Sequence, residues 1–203
     1  LLVGTQSCMS SGFAEDSHGW EVVKREKGDE PSWVISRRQV PGSTFLIYKI
    51  EGKVSASPEA CLASFREDLY AHAKGSERKK FPTYDIRQES DESLLTYVIH
   101  NEPFPLKDTE MSVRYTFSGD EGKNAGMRWQ EAWEACKVPV TPKLNRVETF
   151  RGSWSFISET GESSLAVNEV EFDPKKMPRA LFEPMVVSFL RNGLGDMQNV
   201  ATR

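Results

Sequence analysis

The stretch PRALFEPMVVSFLRNGLGDMQNV, residues 178–200, decides the fold. Leu181, Phe182, Met185, Val186, Phe189, Leu190, Leu194, Met197 and Val200 recur at three- and four-residue spacings, with Arg179, Glu183, Arg191, Asp196 and Gln198 between them. This is the pattern of an amphipathic helix with a wide apolar stripe. Pro178 suits its start, where a missing N–H costs nothing. Pro184 lies inside the pattern, which predicts a short first turn followed by a second helix. Gly193 and Gly195 each weaken a helix by about 1 kcal/mol against alanine, so they mark an end, a hinge or a close approach.

Almost everything from residue 33 to this helix reads as strands and turns. Trp33–Arg38 and Thr44–Val54 are strands, the second with Leu46, Tyr48 and Ile50 opposite Lys49, Glu51 and Lys53. Ser57-Pro58-Glu59 begins a helix, with Ser57 as cap, Pro58 first and Glu59 on the dipole; Leu62, Phe65 and Leu69 carry it to Ala73. Six further strands follow: Tyr84–Glu89, Leu94–His100, Met111–Phe117, Met127–Ala135, Arg146–Ile157 and Ser164–Phe172. Met111, Val113, Tyr115 and Phe117 share a face, and so do Met127, Trp129, Glu131 and Trp133. No helix separates these later strands, so the class is antiparallel α+β in one domain, residues 15–203. A long apolar helix after such a sheet must bury its stripe there, fully or around a cavity.

Lys and Arg number 26 against 30 Asp and Glu, a formal charge of −4, which excludes the basic excess of a dedicated nucleic-acid binder. No apolar run reaches the roughly 20 residues of a membrane span. Cys8, Cys61 and Cys136 have neither metal-ligand nor redox spacing, and His18, His72 and His100 are scattered, so no metal or cofactor is called for. Residues 1–14 begin with Leu1 to Val3 and contain Gly12-Phe13-Ala14, small residues where a signal peptidase reads. They predict the tail of a secretory signal and a periplasmic or secreted location; the alternative is an arm of a cytoplasmic protein.

Five local motifs in order resemble the START lipid-transfer family of the helix-grip superfamily, over about residues 19–200. Gly19-Trp20-Glu21-Val22 with Arg38 to Ser43 is similar to its opening strands, and Val54 to Glu59 to its strand-to-helix step. Asn101-Glu102-Pro103-Phe104-Pro105-Leu106-Lys107-Asp108-Thr109-Glu110 resembles its proline-bracketed aromatic loop, with Thr109 in place of the usual arginine. Gly152-Ser153-Trp154, then Phe172-Asp173-Pro174 before Met177-Pro178, match its last hairpin and its entry to the closing helix, with Lys175-Lys176 replacing glycines. The departures mark a divergent member. The resemblance implies a helix-grip fold: a curved antiparallel sheet wrapped around the C-terminal helix, with an internal hydrophobic cavity. It implies non-catalytic binding, and transfer, of a lipid or sterol-like molecule. Polyketide cyclases and aromatases share the superfamily and supply the enzyme alternative; an interaction domain with a filled cavity is a third reading.

Ligand cavities are apolar walls with a few oriented polar groups. Glu131 and Tyr115 are the polar candidates, since each shares an otherwise apolar face; Trp129, Trp133, Met185 and Phe189 are candidates for the wall. Asn168 is a weaker candidate. Phe104, between two prolines that resist strand pairing, either closes a mouth or plugs the core. An enzyme would need an acid/base pair, and Glu131 with His100 or Tyr115 is the available combination. Lys74, Arg78, Lys79 and Lys80 form a basic run around Glu77 that reads as a solvated loop, or as a contact for anionic lipid heads during transient membrane binding.

Overall fold

The structure is a computed structural model. It describes residues 19–29, 31–102, 104, 107–120, 123–173 and 178–200, save the side chain of Phe172. The expected signal remnant, with Cys8 and His18, lies outside the described residues.

Three strands come first: β1 (Glu21–Arg25), β2 (Trp33–Gln39) and β3 (Leu46–Val54). Helix α1 (Pro58–Ala73) follows, started as its sequence requires, with the Ala60 N–H donating to Ser57 Oγ at 3.2 Å. Then come β4 (Thr83–Ser90), β5 (Ser93–His100), β6 (Thr109–Asp120), β7 (Asn124–Glu131), the single turn α2 (Trp133–Cys136), β8 (Asn145–Arg146), β9 (Arg151–Thr160), β10 (Ser163–Phe172) and α3 (Arg179–Gln198). The sheet runs β1-β2-β3-β10-β9-β7-β6-β5-β4, and only the two-residue β8 pairs in parallel, on β6.

Register places the inner face. One row crosses the sheet as Arg37, Tyr48, Val170, Gly152, Trp129, Tyr115 and Leu94, from β2 to β5. The adjacent row is Ile35, Ile50, Asn168, Trp154, Met127 and Phe117. Both rows face the helices; α3 contacts β3 and β10, and α1 contacts β7, β4 and β9. Phe182, Val186, Val187, Leu190, Leu194 and Met197 bury the stripe of α3. The architecture is an α+β helix grip, as the sequence implied.

Two local expectations are corrected. α3 is one helix across Pro184, Gly193 and Gly195, not a turn and a second helix. Pro184 stands near its N-terminus and forfeits one backbone bond, to Ala180, which the buried stripe outweighs. Gly193 faces Trp154, but a Cβ there would lie 3.4 Å from Trp154 Cζ2, an ordinary contact, so the position does not demand glycine. The strand expected to reach Ala135 stops at Glu131, and Lys137 ends the α2 turn in the left-handed region at φ 55°. Trp133 therefore leaves the face of Trp129. Its Nε1 donates to the Val147 carbonyl at 3.0 Å, and Arg146 stacks on its ring at 3.9 Å.

Candidate functional site

The site is built by the unequal way α3 covers the sheet. Successive helical residues are turned by about 100°. In that rotation Arg191, Glu183 and Gly193 point in the order in which the sheet presents β2, β3 and the β10–β9 pair. Arg191 lies over the Trp33 ring of β2 at 4.0 Å, Glu183 accepts from Tyr48 of β3 at 3.1 Å, and Gly193 sits above Trp154 and Asn168. The next position in the same sense is Phe182, which is 3% exposed, and beyond it come Phe189 and Met185. They are 48% and 64% exposed. That flank of the helix is open.

Opposite it, the inner face is incompletely covered. Met111 and Tyr115 belong to β6, an interior strand, yet both are only half-buried; so are Tyr84 and Ile86 on β4 and Leu62 and Phe65 on α1. Tyr115 contacts Phe65 with ring centroids 5.8 Å apart. Burial alone pushes its hydroxyl well above the ordinary tyrosine value. The Tyr84 hydroxyl is raised by burial and by the neighbouring Tyr115. The Tyr115 hydroxyl has no hydrogen-bond partner among the described residues.

Trp129, the cross-strand partner of Tyr115, is 5% exposed and tilts against Phe150 at 5.9 Å. Its indole lies on Gly152, where a Cβ would fall 2.2 Å from Cζ2, so only glycine fits. Trp129 Nε1 and Asn168 Oδ1 are both buried without a hydrogen-bond partner. A buried polar atom left unsatisfied costs about 1–3 kcal/mol. Sequence reading ranked Asn168 low because one polar residue in an alternating strand carries no sign of what lies above it.

Glu131 ends β7 on the same face. Its carboxylate accepts from Arg151 Nε at 2.9 Å and from the Phe150 N–H at 3.3 Å. Burial would raise it, but Arg151 and the backbone donors outweigh burial and hold Glu131 below the usual carboxylate range. His100 is engaged elsewhere, 2.9 Å from Glu102 and 5.3 Å from the Phe81 ring. Phe104 is 97% exposed, so it does not plug the core; its proline neighbours lie outside the described residues. Thus Tyr115, Trp129 and Glu131 share the inner face of neighbouring strands, Met185 and Phe189 are exposed on α3, and Trp133 and Phe104 stand apart.

A second cluster was not legible in sequence. Under the N-terminal half of α3, Arg37 pairs with Glu183, 146 residues away, and with Glu21 at 2.5 Å, while Arg179 Nε donates to Glu183 at 3.1 Å. Burial and Glu183 push the Tyr48 hydroxyl up to about 12. An open groove of ≈ 470 Å³ lies over β6, β7 and β9, lined by Ser118, Gly126, Arg128, Ser153, Ser155 and Ile157 among others. These named side chains belong to the outer face, and polar and apolar groups share the lining about equally. No group of three or more metal ligands occurs among the described residues.

No family model matches the chain, and no curated protein matches it. Solved structures do. A STAR-related lipid transfer protein from Xanthomonas axonopodis superposes with TM-score 0.69 at 15% identity, covering 91% of this chain and 99% of that one. Human STARD10 gives TM-score 0.71 at 13% identity over 92% of this chain and 74% of its own. Norcoclaurine synthase from Thalictrum flavum gives 0.51 at 11% identity, covering 82% of this chain and 94% of that one. The chain has the helix-grip fold of the STAR-related lipid-transfer domains.

Proposed function

We propose that the protein binds one hydrophobic small molecule, a lipid or sterol-like compound, between α3, α1 and the inner faces of β5–β7, without catalysis. The observation that carries this reading is Tyr115: it stands on an interior strand, enclosed by protein, yet only half-buried and with no partner for its hydroxyl among the described residues. Affinity comes chiefly from apolar burial, about 25 cal/mol per Å² before ordering costs. The printed names of two neighbours, as lipid-transfer proteins, agree with this. Glu131, held ionised by Arg151, is a poor proton acceptor, which favours binding over the cyclase-type alternative. Phe104, Leu181, Met185 and Phe189 are exposed apolar side chains suited to transient membrane contact during loading. No helix among the described residues is long and apolar enough to cross a membrane.

The test is titration with N-phenylnaphthylamine, a neutral fluorescent probe. Saturable binding at one site is expected, weakened at least tenfold by Phe189→Asp with unchanged circular dichroism. Absence of saturable binding, or indifference to Phe189→Asp, contradicts the reading.

A further inference from the structure

We propose that the edge strand β4 is a self-association surface, on which a second copy of this chain pairs antiparallel about a twofold axis at Ile86. The inference stands independently of the ligand reading. The sheet ends at β1 on one side and at β4 on the other. The outward backbone groups of an edge strand are ready to pair with another chain, and proteins blunt such edges with short strands, bulges and charge. β1 is blunted: it has five residues, with a register shift between Val22 and Lys24. β4 has eight, and follows β5 without irregularity from Thr83 to Gln88. Among the described residues, Thr83 to Gln88 make no backbone–backbone hydrogen bond outside the β4–β5 ladder. Helix α1 lies over the inner face, where Phe65 and Arg66 reach the rings of Tyr115 and Phe117 on β6 at 5.8 and 4.6 Å.

The charge pattern commits this edge to its own copy. Asp85 and Arg87 are exposed on either side of the half-buried Ile86. In a twofold pair each residue meets the one equidistant from the axis. With Ile86 on the axis, Asp85 of each copy meets Arg87 of the other, Ile86 meets Ile86, and Tyr84 meets Gln88. Ile86 is also the midpoint between Pro82 and Ser90, which bound the regular stretch. The other centres fail. Asp85 or Arg87 on the axis sets like charges opposite each other. Tyr84 on the axis brings Pro82, which has no N–H, into the ladder. Gln88 on the axis runs into the register shift before Ser90. The charges that exclude the other centres thus favour this one. Arg87 is not held back within its own chain: it contacts Glu89 at 3.3 Å, a carboxylate that Arg114 already holds at 2.7 Å. One strand from each copy makes a small contact, of the weak and transient class.

Sedimentation velocity of the whole chain, from about 10 µM to about 1 mM, reads the association. A reversible monomer–dimer equilibrium is expected, weakened as salt is raised, because the paired charges are exposed to solvent. Asp85→Arg and Arg87→Asp each set two like-charge pairs across the axis and should weaken the dimer roughly tenfold. An equimolar mixture of the two variants should associate again, since two cations on one strand then face two anions on the other. That recovery also shows that both variants are folded. A chain that stays monomeric throughout, or a dimer indifferent to salt, overturns the proposal in the unaltered protein, whatever the variants do. A dimer that both variants leave unaltered overturns it too, as does a mixture of variants with unchanged circular dichroism that stays apart.

Discussion

The two halves of the sheet's inner face carry similar residues and solve different problems. Beneath α3, on β2, β3 and β10, Ile35, Tyr48, Ile50 and Ala166 are fully buried, and the charges are paired by Arg37, Glu183 and Glu21. Across β9, on β7 and β6, the wall is equally apolar, but Tyr115 and Met111 keep accessible surface and the helix flank above them, Met185 and Phe189, is open. One half is a closed core that fixes the helix. The other is a wall without a complete partner. This unequal burial of α3 is the feature on which the proposed binding site rests.

The largest effect expected from this contrast is on stability. Leu190→Ala, at a fully buried position on the anchored side of α3, should cost about 3 kcal/mol by chemical denaturation, whereas Met185→Ala should cost under about 0.5 kcal/mol. Equal losses would mean that the helix is buried evenly and that the contrast is false. Next in size is the charged anchor. Glu183→Gln leaves Arg37, itself 4% exposed, with only Glu21 and should cost about 2 kcal/mol. A neutral result would show that α3 is held by apolar packing alone.

Smaller is the tyrosine comparison. Tyr48→Phe removes a hydroxyl bonded to Glu183 and should cost about 1 kcal/mol; Tyr115→Phe removes one with no partner among the described residues and should cost nothing, or stabilise slightly. Both hydroxyls titrate above the ordinary value. A folded-state pKa raised above the unfolded value gives stability that is whole below about pH 10 and is lost as pH rises through the folded pKa. Thermal melts should therefore fall above pH 10, and Tyr48→Phe should shallow that slope up to about pH 12.

Smallest is the acid limb. Glu131 is held below its ordinary pKa, so its contribution is present above the unfolded value and is lost as pH falls through the lowered folded one. Glu131→Gln should flatten the acid side of the melting profile slightly, since Arg151 is half exposed and solvent screens the pair. An unaltered acid limb would mean the pair contributes nothing.

Periodicity made much of this legible. The stripe of α3, the Ser57 cap and the shared face of Met111, Val113, Tyr115 and Phe117 are local patterns, and local patterns survive folding. Two errors came from the same source. Trp129, Glu131 and Trp133 alternate as a strand would, yet Trp133 turns away to the Val147 carbonyl and Arg146, partners remote in sequence. Pro184 looked like a break because its cost is local, while the burial that overrides it is tertiary. The Arg37–Glu183 anchor, and the unpartnered atoms of Trp129 and Asn168, arise only when distant strands meet, and no spacing announces them.

The central claim is that the half of the inner face beside Tyr115 holds a hydrophobic molecule. Native mass spectrometry of the protein purified from its own cells, followed by solvent extraction, tests it most directly. One added mass per chain is expected, carried by an apolar compound that the extraction recovers. A chain that flies at its bare mass, yields no extractable lipid and takes up no N-phenylnaphthylamine would contradict it.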